Sequence, residues 1–173
     1  MTFSFLKFTT MKTLYTILAG IFIIILSSCN EKDTAPELKK ANDQFYVALN
    51  VMFTGEADPV LEIWSHENNI TYLGPFGGYL KGWEAVGTEF KKNAAMKLGG
   101  KIVCKESHLF PGKEIGYVVC VEEGINVTAE GKTVTVSHRA TNIFSLQNGK
   151  WKLVHHHTDL SPQLEDAFDK KLK

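Results

Sequence analysis

Residues 140–158, ATNIFSLQNGKWKLVHHHT, carry the strongest structural signal in this chain. At their centre lies Asn148-Gly149, and these two residue types tolerate the positive φ that a type I′ turn needs at both central positions. Because a two-residue turn fixes the register of the strands it joins, we predict a β-hairpin with defined opposite pairs. These pairs are Leu146 with Trp151, Phe144 with Leu153, Asn142 with His155, and Ala140 with His157.

The predicted inward face of this hairpin is apolar beside the turn and polar farther along the strands. Buried imidazole and amide groups need hydrogen-bond partners or a ligand, so this change indicates a pocket in a curved sheet. His156 should face away from the pocket, because successive side chains of a strand point to opposite sides. The alternative is a closed core in which the polar groups satisfy one another and a water. The residues predicted to converge on the pocket are His138, Asn142, His155 and His157.

Helical periodicity precedes the hairpin, and strand periodicity surrounds it. Apolar residues three to four apart predict helices over 36–54 and 83–97, and Asp58-Pro59 is typical of the start of a shorter helix between them. A first strand is predicted over 69–76, closed by Gly77-Gly78. Helices followed by an antiparallel meander predict an α+β fold, in which the N-terminal helices cover one face of a curved sheet. The four strands of that meander are predicted at 101–110, 114–127, 132–146 and 150–158.

The composition excludes several classes of protein. Of 173 residues, 44% are hydrophobic, which is enough for a core and too much for a disordered chain. Nineteen basic and 19 acidic side chains balance, so no excess positive charge is available to hold nucleic acid. Three cysteines are too few for a disulfide-framed scaffold. A three-residue loop at Pro111-Gly112 would place Cys104 opposite Cys120. Two alternatives are then equally expected, a disulfide between them or two buried free thiols.

The N-terminal segment has the pattern of a bacterial targeting signal. Lys12 precedes an apolar run over 14–26, which is shorter than the roughly 20 residues needed to span a bilayer. The alternative, an uncleaved membrane helix, lacks a basic stop-transfer flank. The run ends in Leu26-Ser27-Ser28-Cys29, which resembles the lipobox of bacterial lipoproteins. The resemblance implies a signal peptide over 1–28, a lipidated Cys29 that begins a tether over 29–36, and an outer-membrane position in the cell envelope, since asparagine follows the cysteine.

Two stretches of the predicted domain resemble a known family. Residues 149–157, GKWKLVHHH, with Ser161 after them, and residues 82–86, GWEAV, resemble the SnoaL-like branch of the nuclear transport factor 2-like superfamily. The strand over 151–157 is also similar to the association domain of calcium/calmodulin-dependent protein kinase. The resemblance covers 37–160 and implies a cone-shaped, cystatin-like α+β fold with a pocket between sheet and helices. It further implies a homodimer packed through the sheet, and it brings neither a cofactor nor a metal.

A short segment, 161–173, follows the predicted domain. It carries Leu164, Phe168 and Leu172 four residues apart, which predicts an amphipathic helix. Such a helix would either cap the pocket or contact a partner.

Two functions are compatible with this pattern. In the first, the membrane-anchored domain binds a small apolar or aromatic molecule without changing it. In the second, as the resemblance implies, it is an acid–base enzyme of the ketosteroid isomerase, polyketide cyclase or dehydratase type acting on a small apolar substrate. In either case the aromatic walls of the pocket are predicted to be Trp64, Tyr72, Trp83 and Phe90.

The enzyme hypothesis gives each polar residue a role. His155 or His157 would move the proton, because an imidazole titrates near neutral pH. Tyr72 and Asn142 would donate hydrogen bonds to a developing oxyanion. Enzymatic relatives use an inward carboxylate, and none clearly falls on the inward face of the last two strands, which favours binding without turnover. The same lack of a carboxylate, and a resemblance that brings no metal, argue against zinc on His138, His155 and His157.

Overall fold

The computed structural model describes residues 33–127 and 131–161. Three helices come before the four long strands, as the sequence predicts, and the α+β class is confirmed. The helices are α1 (Ala35–Met52), α2 (Asp58–Ile63) and α3 (Trp83–Ala95). The strands are β1 (Thr71–Gly74), β2 (Gly77–Lys81), β3 (Lys101–Phe110), β4 (Ile115–Val127), β5 (Thr133–Gln147) and β6 (Lys150–Thr158).

The six strands form one curved, open sheet in the order β2-β1-β6-β5-β4-β3. All neighbouring strands are antiparallel except β1 and β6, which run parallel. The strand predicted over 69–76 corresponds to β1, and Gly77 and Gly78, expected to end it, begin an additional strand, β2, that was not predicted. Apolar residues of α1 and α3, such as Phe45 and Phe90, pack with sheet residues such as Val118 and Phe144 in one core. This core is where the sheet and the helical layer meet.

The last hairpin has the predicted turn and, beyond it, a different register. Asn148 and Gly149 have φ of 50° and 78°, and Phe144 lies opposite Leu153 as predicted. The register then shifts, because β6 contains one extra residue. Phe144 pairs with Leu153 and Ile143 pairs with His155, so Val154 forms a bulge between these two pairs. From that bulge onward every β6 side chain changes face, since the side-chain period of a strand is two. The pairs beyond the bulge are Ile143 with His155, Asn142 with His156, Thr141 with His157, and Ala140 with Thr158.

The shift reverses the prediction for the three histidines. His156, expected to face away, is buried, with an exposed fraction of 4%. His155 is half-buried and His157 is exposed, so the prediction that these two rings project inward is wrong.

The pairing of β3 with β4 also differs from prediction. Cys104 lies opposite Glu122 and not opposite Cys120, because the connection between the strands is longer than three residues. Both cysteines are free thiols. Of the two alternatives left open by the sequence, the structure therefore contains the free thiols.

Several predictions fall outside the described residues. These are the signal peptide over 1–28, lipidation at Cys29, the first part of the tether, and the C-terminal helix beyond Ser161. In the part of the chain that is described, no helix combines the length and the hydropathy needed to cross a membrane.

Candidate functional site

A cavity of about 50 Å³ lies between the sheet and the helical layer. Most of its wall is apolar and comes from α1, α3 and the residues near β1, including Phe45, Met52, Phe76 and Phe90. Five polar side chains interrupt this wall: Asn93, Glu122, Asn126, His138 and His156. A mostly apolar cavity with a few converging polar groups is the usual form of a small-molecule site.

Glu122 is the carboxylate that the sequence analysis did not find. It lies on β4, where side chains alternate between the exposed outer face and the buried inner face, and it pairs across the sheet with His138. Its exposed fraction is 5%, and Tyr46 Oη donates a hydrogen bond to Oε1 over 3.0 Å. Burial raises the pKa of Glu122 to about 7, although the hydrogen bond from Tyr46 opposes the rise. At neutral pH this carboxyl group is therefore present in both its acid and its base form.

His156 is the imidazole that faces Glu122. Its Nδ1 lies 2.6 Å from Asn142 Oδ1, and its Nε2 lies 3.9 Å from Glu122 Oε1. Burial lowers the pKa of His156 to about 3, and the neighbouring histidines act in the same direction. The ring is therefore neutral at neutral pH.

The amide of Asn142 decides which nitrogen of His156 carries the proton. Asn142 Nδ2 donates to Asn42 Oδ1 over 2.8 Å and to Tyr46 Oη over 3.0 Å. Its Oδ1 is thus left to accept, so Nδ1 of His156 carries the hydrogen and Nε2 presents a lone pair toward Glu122. The result is a proton donor and a proton acceptor on the same side of the cavity, too far apart for a direct hydrogen bond.

Of the other predicted pocket residues, some line the cavity and some lie directly behind its wall. Tyr72 and Phe90 line the cavity together with His138, and the Tyr72 ring stacks on His156 with a centroid distance of 5.7 Å. Asn142 is fully buried behind His156, where it orients the imidazole and does not form part of the cavity wall. Trp64 packs one layer back, against Tyr72 and Phe90.

Three of the predicted site residues lie away from the cavity. Trp83 stacks on His66 with a centroid distance of 3.8 Å. His155 Nδ1 lies 2.6 Å from the hydroxyl of Thr71, and His157 is on the exposed face. Neither His155 nor His157 contributes to the wall, because the bulge at Val154 turns both of them outward. Among the described residues, no group of three or more His, Cys, Asp or Glu side chains is placed to hold a metal ion.

Of the site residues that were not predicted, Glu122 has a recognisable signal in the sequence, and Tyr46 and Asn42 do not. Along β4, Val118, Cys120 and Glu122 share the inward face, so an acidic residue stands in an otherwise apolar alternation. Tyr46 and Asn42 lie one turn apart on the buried side of α1 and give no signal that separates them from ordinary core positions.

Solved structures share this fold at low sequence identity. A proposed dehydratase of the nuclear transport factor 2-like family from Streptomyces avermitilis is 19% identical, with 73% of this chain and 95% of that chain covered and a TM-score of 0.64. A proposed aromatic ring hydroxylase from Novosphingobium aromaticivorans is 16% identical, with coverages of 78% and 96% and a TM-score of 0.65. A proposed calcium/calmodulin-dependent protein kinase II association domain from Xanthomonas campestris is 17% identical, with coverages of 79% and 94% and a TM-score of 0.60.

These similarities establish the nuclear transport factor 2-like fold. No functionally curated protein is detectably similar to the chain. The SnoaL-like domain family matches residues 38–161, which include every helix and strand described above except the first turn of α1. The chain therefore belongs to the SnoaL-like domain family.

Proposed function

We propose that this SnoaL-like domain binds a small, uncharged and mostly apolar molecule in the cavity and moves a proton on it. Glu122 is the group that gives or takes the proton. The observation that carries this proposal is a buried carboxyl group in the cavity wall whose pKa of about 7 makes both protonation states available. General acid–base catalysis is most effective when the pKa of the catalytic group lies near the working pH.

His156 has a supporting role in the proposed reaction. Its neutral Nε2 accepts a hydrogen bond from a hydroxyl group of the bound molecule, while Glu122 acts on a neighbouring atom. Because Nε2 and Oε1 lie side by side, 3.9 Å apart, adjacent atoms of one ligand can contact both groups. Isomerisation of a small carbonyl compound, or loss of water from a hydroxy-carbonyl compound, is chemistry of this type.

The size and charge of the cavity restrict the ligand. A volume of about 50 Å³ corresponds to a few water molecules, so any larger ligand requires side chains of the cavity wall to move, and Pro75 and Phe76 are among the half-buried residues of that wall. An anionic ligand would lose its hydration without gaining an opposite charge, because His156 is neutral at neutral pH and Glu122 is either neutral or negative. A cationic ligand would hold Glu122 in its carboxylate form and lower the pKa on which the proposed proton transfer depends. The proposed ligand is therefore neutral.

Binding without turnover is the second candidate, and Asn93 favours it. Asn93 lines the cavity, and its Oδ1 is buried with no hydrogen-bond partner in the described part of the chain. An unpaired buried amide oxygen is costly, so a bound molecule or an ordered water that donates to it would stabilise the domain. A ligand held in this way does not require Glu122 to transfer a proton.

The experiment that separates the candidates uses cyclopentanone and cyclohexanone as probes in deuterium oxide. Exchange of their α-hydrogens, followed by proton NMR, reports proton abstraction from a neutral apolar carbonyl compound. We expect the wild-type protein to accelerate the exchange and Glu122→Gln to lose about 100-fold or more of the acceleration. Glu123→Gln changes the adjacent, exposed carboxylate and should keep the wild-type rate.

Two other results would decide against proton transfer. If Glu122→Gln and Glu123→Gln exchange at the same rate as the wild type, Glu122 is not the catalytic group. If the probes shift the NMR signals of Tyr72 and Phe90 without any accelerated exchange, the cavity binds and does not catalyse.

We also propose that the domain is held at a membrane by lipid on Cys29 and acts as a homodimer. The lipobox-like Leu26-Ser27-Ser28-Cys29 supports the anchor. An apolar strip on the outer face of the sheet supports the dimer: Tyr117 and Val119 are exposed there, and the Tyr117 ring stacks on the exposed Phe110 with a centroid distance of 4.4 Å. Exposed apolar surface of this kind often marks a protein interface.

A further inference from the structure

Two thiols lie behind the candidate site, on strands β3 and β4. Cys104 is half-buried and Cys120 is buried, and both are free. Both belong to the inward face of the sheet, because Cys104 pairs with Glu122 and Cys120 is two residues before Glu122 on β4. The two side chains are thus diagonal neighbours on adjacent strands.

The contacts of the two thiols differ. Cys104 Sγ accepts a hydrogen bond from Asn42 Nδ2 over 3.5 Å, and it is also in hydrogen-bond contact with the thiol of Cys120. Cys120 Sγ lies 3.2 Å from the hydroxyl of Tyr46, on the side away from solvent. Cys104 therefore has two donors that stabilise its thiolate and a path to solvent, whereas Cys120 is buried and its neighbour, the Tyr46 hydroxyl, already donates its hydrogen to Glu122.

The protonation behaviour agrees with this arrangement. The hydrogen bonds from Cys120 and Asn42 lower the pKa of Cys104 to about 7, although burial opposes the change. The contact with Cys104, followed by burial, raises the pKa of Cys120. Since the thiolate is the nucleophile in sulfur chemistry, Cys104 is the more reactive of the two at neutral pH.

We propose that Cys104 and Cys120 form a thiol–disulfide exchange site, with Cys104 as the attacking thiol and Cys120 as the resolving thiol. The co-reactant is an external disulfide, either a small molecule or a disulfide of another protein. This assignment does not rest on the proposed proton-transfer function, because it requires neither a ligand in the cavity nor any role for Glu122.

The exchange proceeds in two displacements. The Cys104 thiolate forms a bond to one sulfur of the external disulfide, and the broken S–S bond releases the other half as a thiolate. That thiolate takes the proton of Cys120, and the Cys120 sulfur attacks the Cys104 sulfur of the mixed disulfide. The second half then leaves as a thiolate and is protonated by water. In total, two cysteine thiols are oxidised to one disulfide, and the external disulfide is reduced to two thiols.

The backbone beside Cys104 provides the movement that closure requires. Diagonal residues of an antiparallel pair have Cα atoms about 7–8 Å apart, somewhat more than a disulfide spans. The register of β3 against β4 is irregular between Lys105 and His108, and Glu106 has a φ of 49°. In addition, β3 is an edge strand that pairs with β4 alone. A small slide of β3 along β4 at this bulge can bring the two sulfurs together.

The test uses the full-length chain with Cys29→Ser, so that Cys104 and Cys120 are the remaining cysteines. The protein is incubated at pH 7 with oxidised glutathione, and intact mass and peptide mapping follow the products. We expect a Cys104–Cys120 disulfide with no glutathione retained. With the additional change Cys120→Ser, glutathione should remain on Cys104. With Cys104→Ser, the reaction of Cys120 should be slower by about tenfold or more, because that thiol is buried.

Several results would overturn the assignment. These are glutathione that stays on Cys104 when Cys120 is present, a Cys104→Ser variant that reacts as fast as its parent, and thiols that react only after unfolding in urea. Circular dichroism of each variant identifies loss of structure. If a serine variant does not fold, peptide mapping of the parent still decides whether the disulfide forms without retained glutathione.

Discussion

Tyr46 of α1 donates its hydroxyl to Oε1 of Glu122 on β4, and this 3.0 Å bond joins the helical layer to the only carboxyl group in the described cavity wall. The same hydroxyl accepts a hydrogen bond from Asn142, which in turn orients His156. One tyrosine thus acts on the acidity of Glu122 directly and on the position of His156 through Asn142. Both groups of the proposed acid–base pair depend on where α1 packs against the sheet.

Tyr46→Phe should raise the pKa of Glu122 above its value of about 7, because the lost hydrogen bond favours the ionised carboxylate. We expect a rise of about one to two pKa units, since a hydrogen bond to a charged group contributes roughly 1.5–3 kcal/mol and one unit corresponds to about 1.4 kcal/mol. A pH titration of the Glu122 side-chain carbon by NMR measures it. Tyr117→Phe, on the outer face of the sheet, is the matched control. An unchanged or lowered pKa in Tyr46→Phe would contradict the assignment of Tyr46 as donor.

Glu122→Gln should gain stability relative to the wild type as the pH rises from 4.5 to 7. The folded state holds the Glu122 proton up to a pKa of about 7, whereas an unfolded chain releases it near the ordinary value of 4.5. In this window the folded state binds more protons, so this group makes the free energy of unfolding fall as pH rises. Glutamine removes that loss, which amounts to at most about 3 kcal/mol.

Urea denaturation of both proteins at several pH values measures this difference. His156 acts in the opposite direction, because burial lowers its pKa to about 3, but it is present in both proteins and does not enter their difference. Glu123→Gln should follow the wild-type curve. A constant difference between Glu122→Gln and the wild type from pH 4.5 to 7 would mean that the Glu122 carboxyl is not buried in the folded state.

The fold follows from the sequence more completely than the site does. Asn148-Gly149 and the alternation on either side of it fix the hairpin, and the order of helices and strands fixes the class. The register of a strand normally follows from which of its faces is apolar. Residues 155, 156 and 157 are all histidines, so the predicted and the observed register both bury histidine side chains, and residue type cannot distinguish them. The bulge at Val154 lies where β6 also pairs with β1, a contact distant in sequence. For this reason no pattern within the hairpin could have located it.

His156→Ala and His157→Ala test the bulge directly. The first change removes a buried ring that is hydrogen-bonded to Asn142 and stacked on Tyr72, so we expect a loss of about 2–4 kcal/mol in the free energy of unfolding. The second removes an exposed ring and should cost less than about 0.5 kcal/mol. Urea denaturation at pH 7 measures both. A larger loss of unfolding free energy for His157→Ala than for His156→Ala would instead support the register that the sequence alone predicts.

Cys29→Ser should release the protein from the membrane. The lipid proposed for this residue is attached through its sulfur and its amine, so serine removes the acceptor. Cell fractionation followed by detergent-phase partitioning measures the distribution. Cys104→Ser changes a thiol within the domain and should leave the protein in the membrane fraction. Equal membrane association of wild type and Cys29→Ser would rule out an anchor at this position.

Val119→Lys should convert the proposed homodimer into a monomer. Val119 lies on the outer face of β4 with an exposed fraction of 37%, next to Tyr117 in the apolar strip. A lysine there would place a like charge from each copy at the interface and desolvate both, which is strongly unfavourable. Val47→Lys is the matched control, because Val47 lies on α1 with an exposed fraction of 66%, and it should leave the dimer intact.

Light scattering coupled to gel filtration measures the mass of each variant, and circular dichroism confirms that each is folded. A dimer that survives Val119→Lys and dissociates with Val47→Lys would move the interface from the sheet to the helical layer. In that arrangement the partner would cover the exposed side of α1, on which Val47 lies, while Tyr46 stays on the buried side with Glu122. Either interface therefore leaves the hydrogen bond between Tyr46 and Glu122 in place.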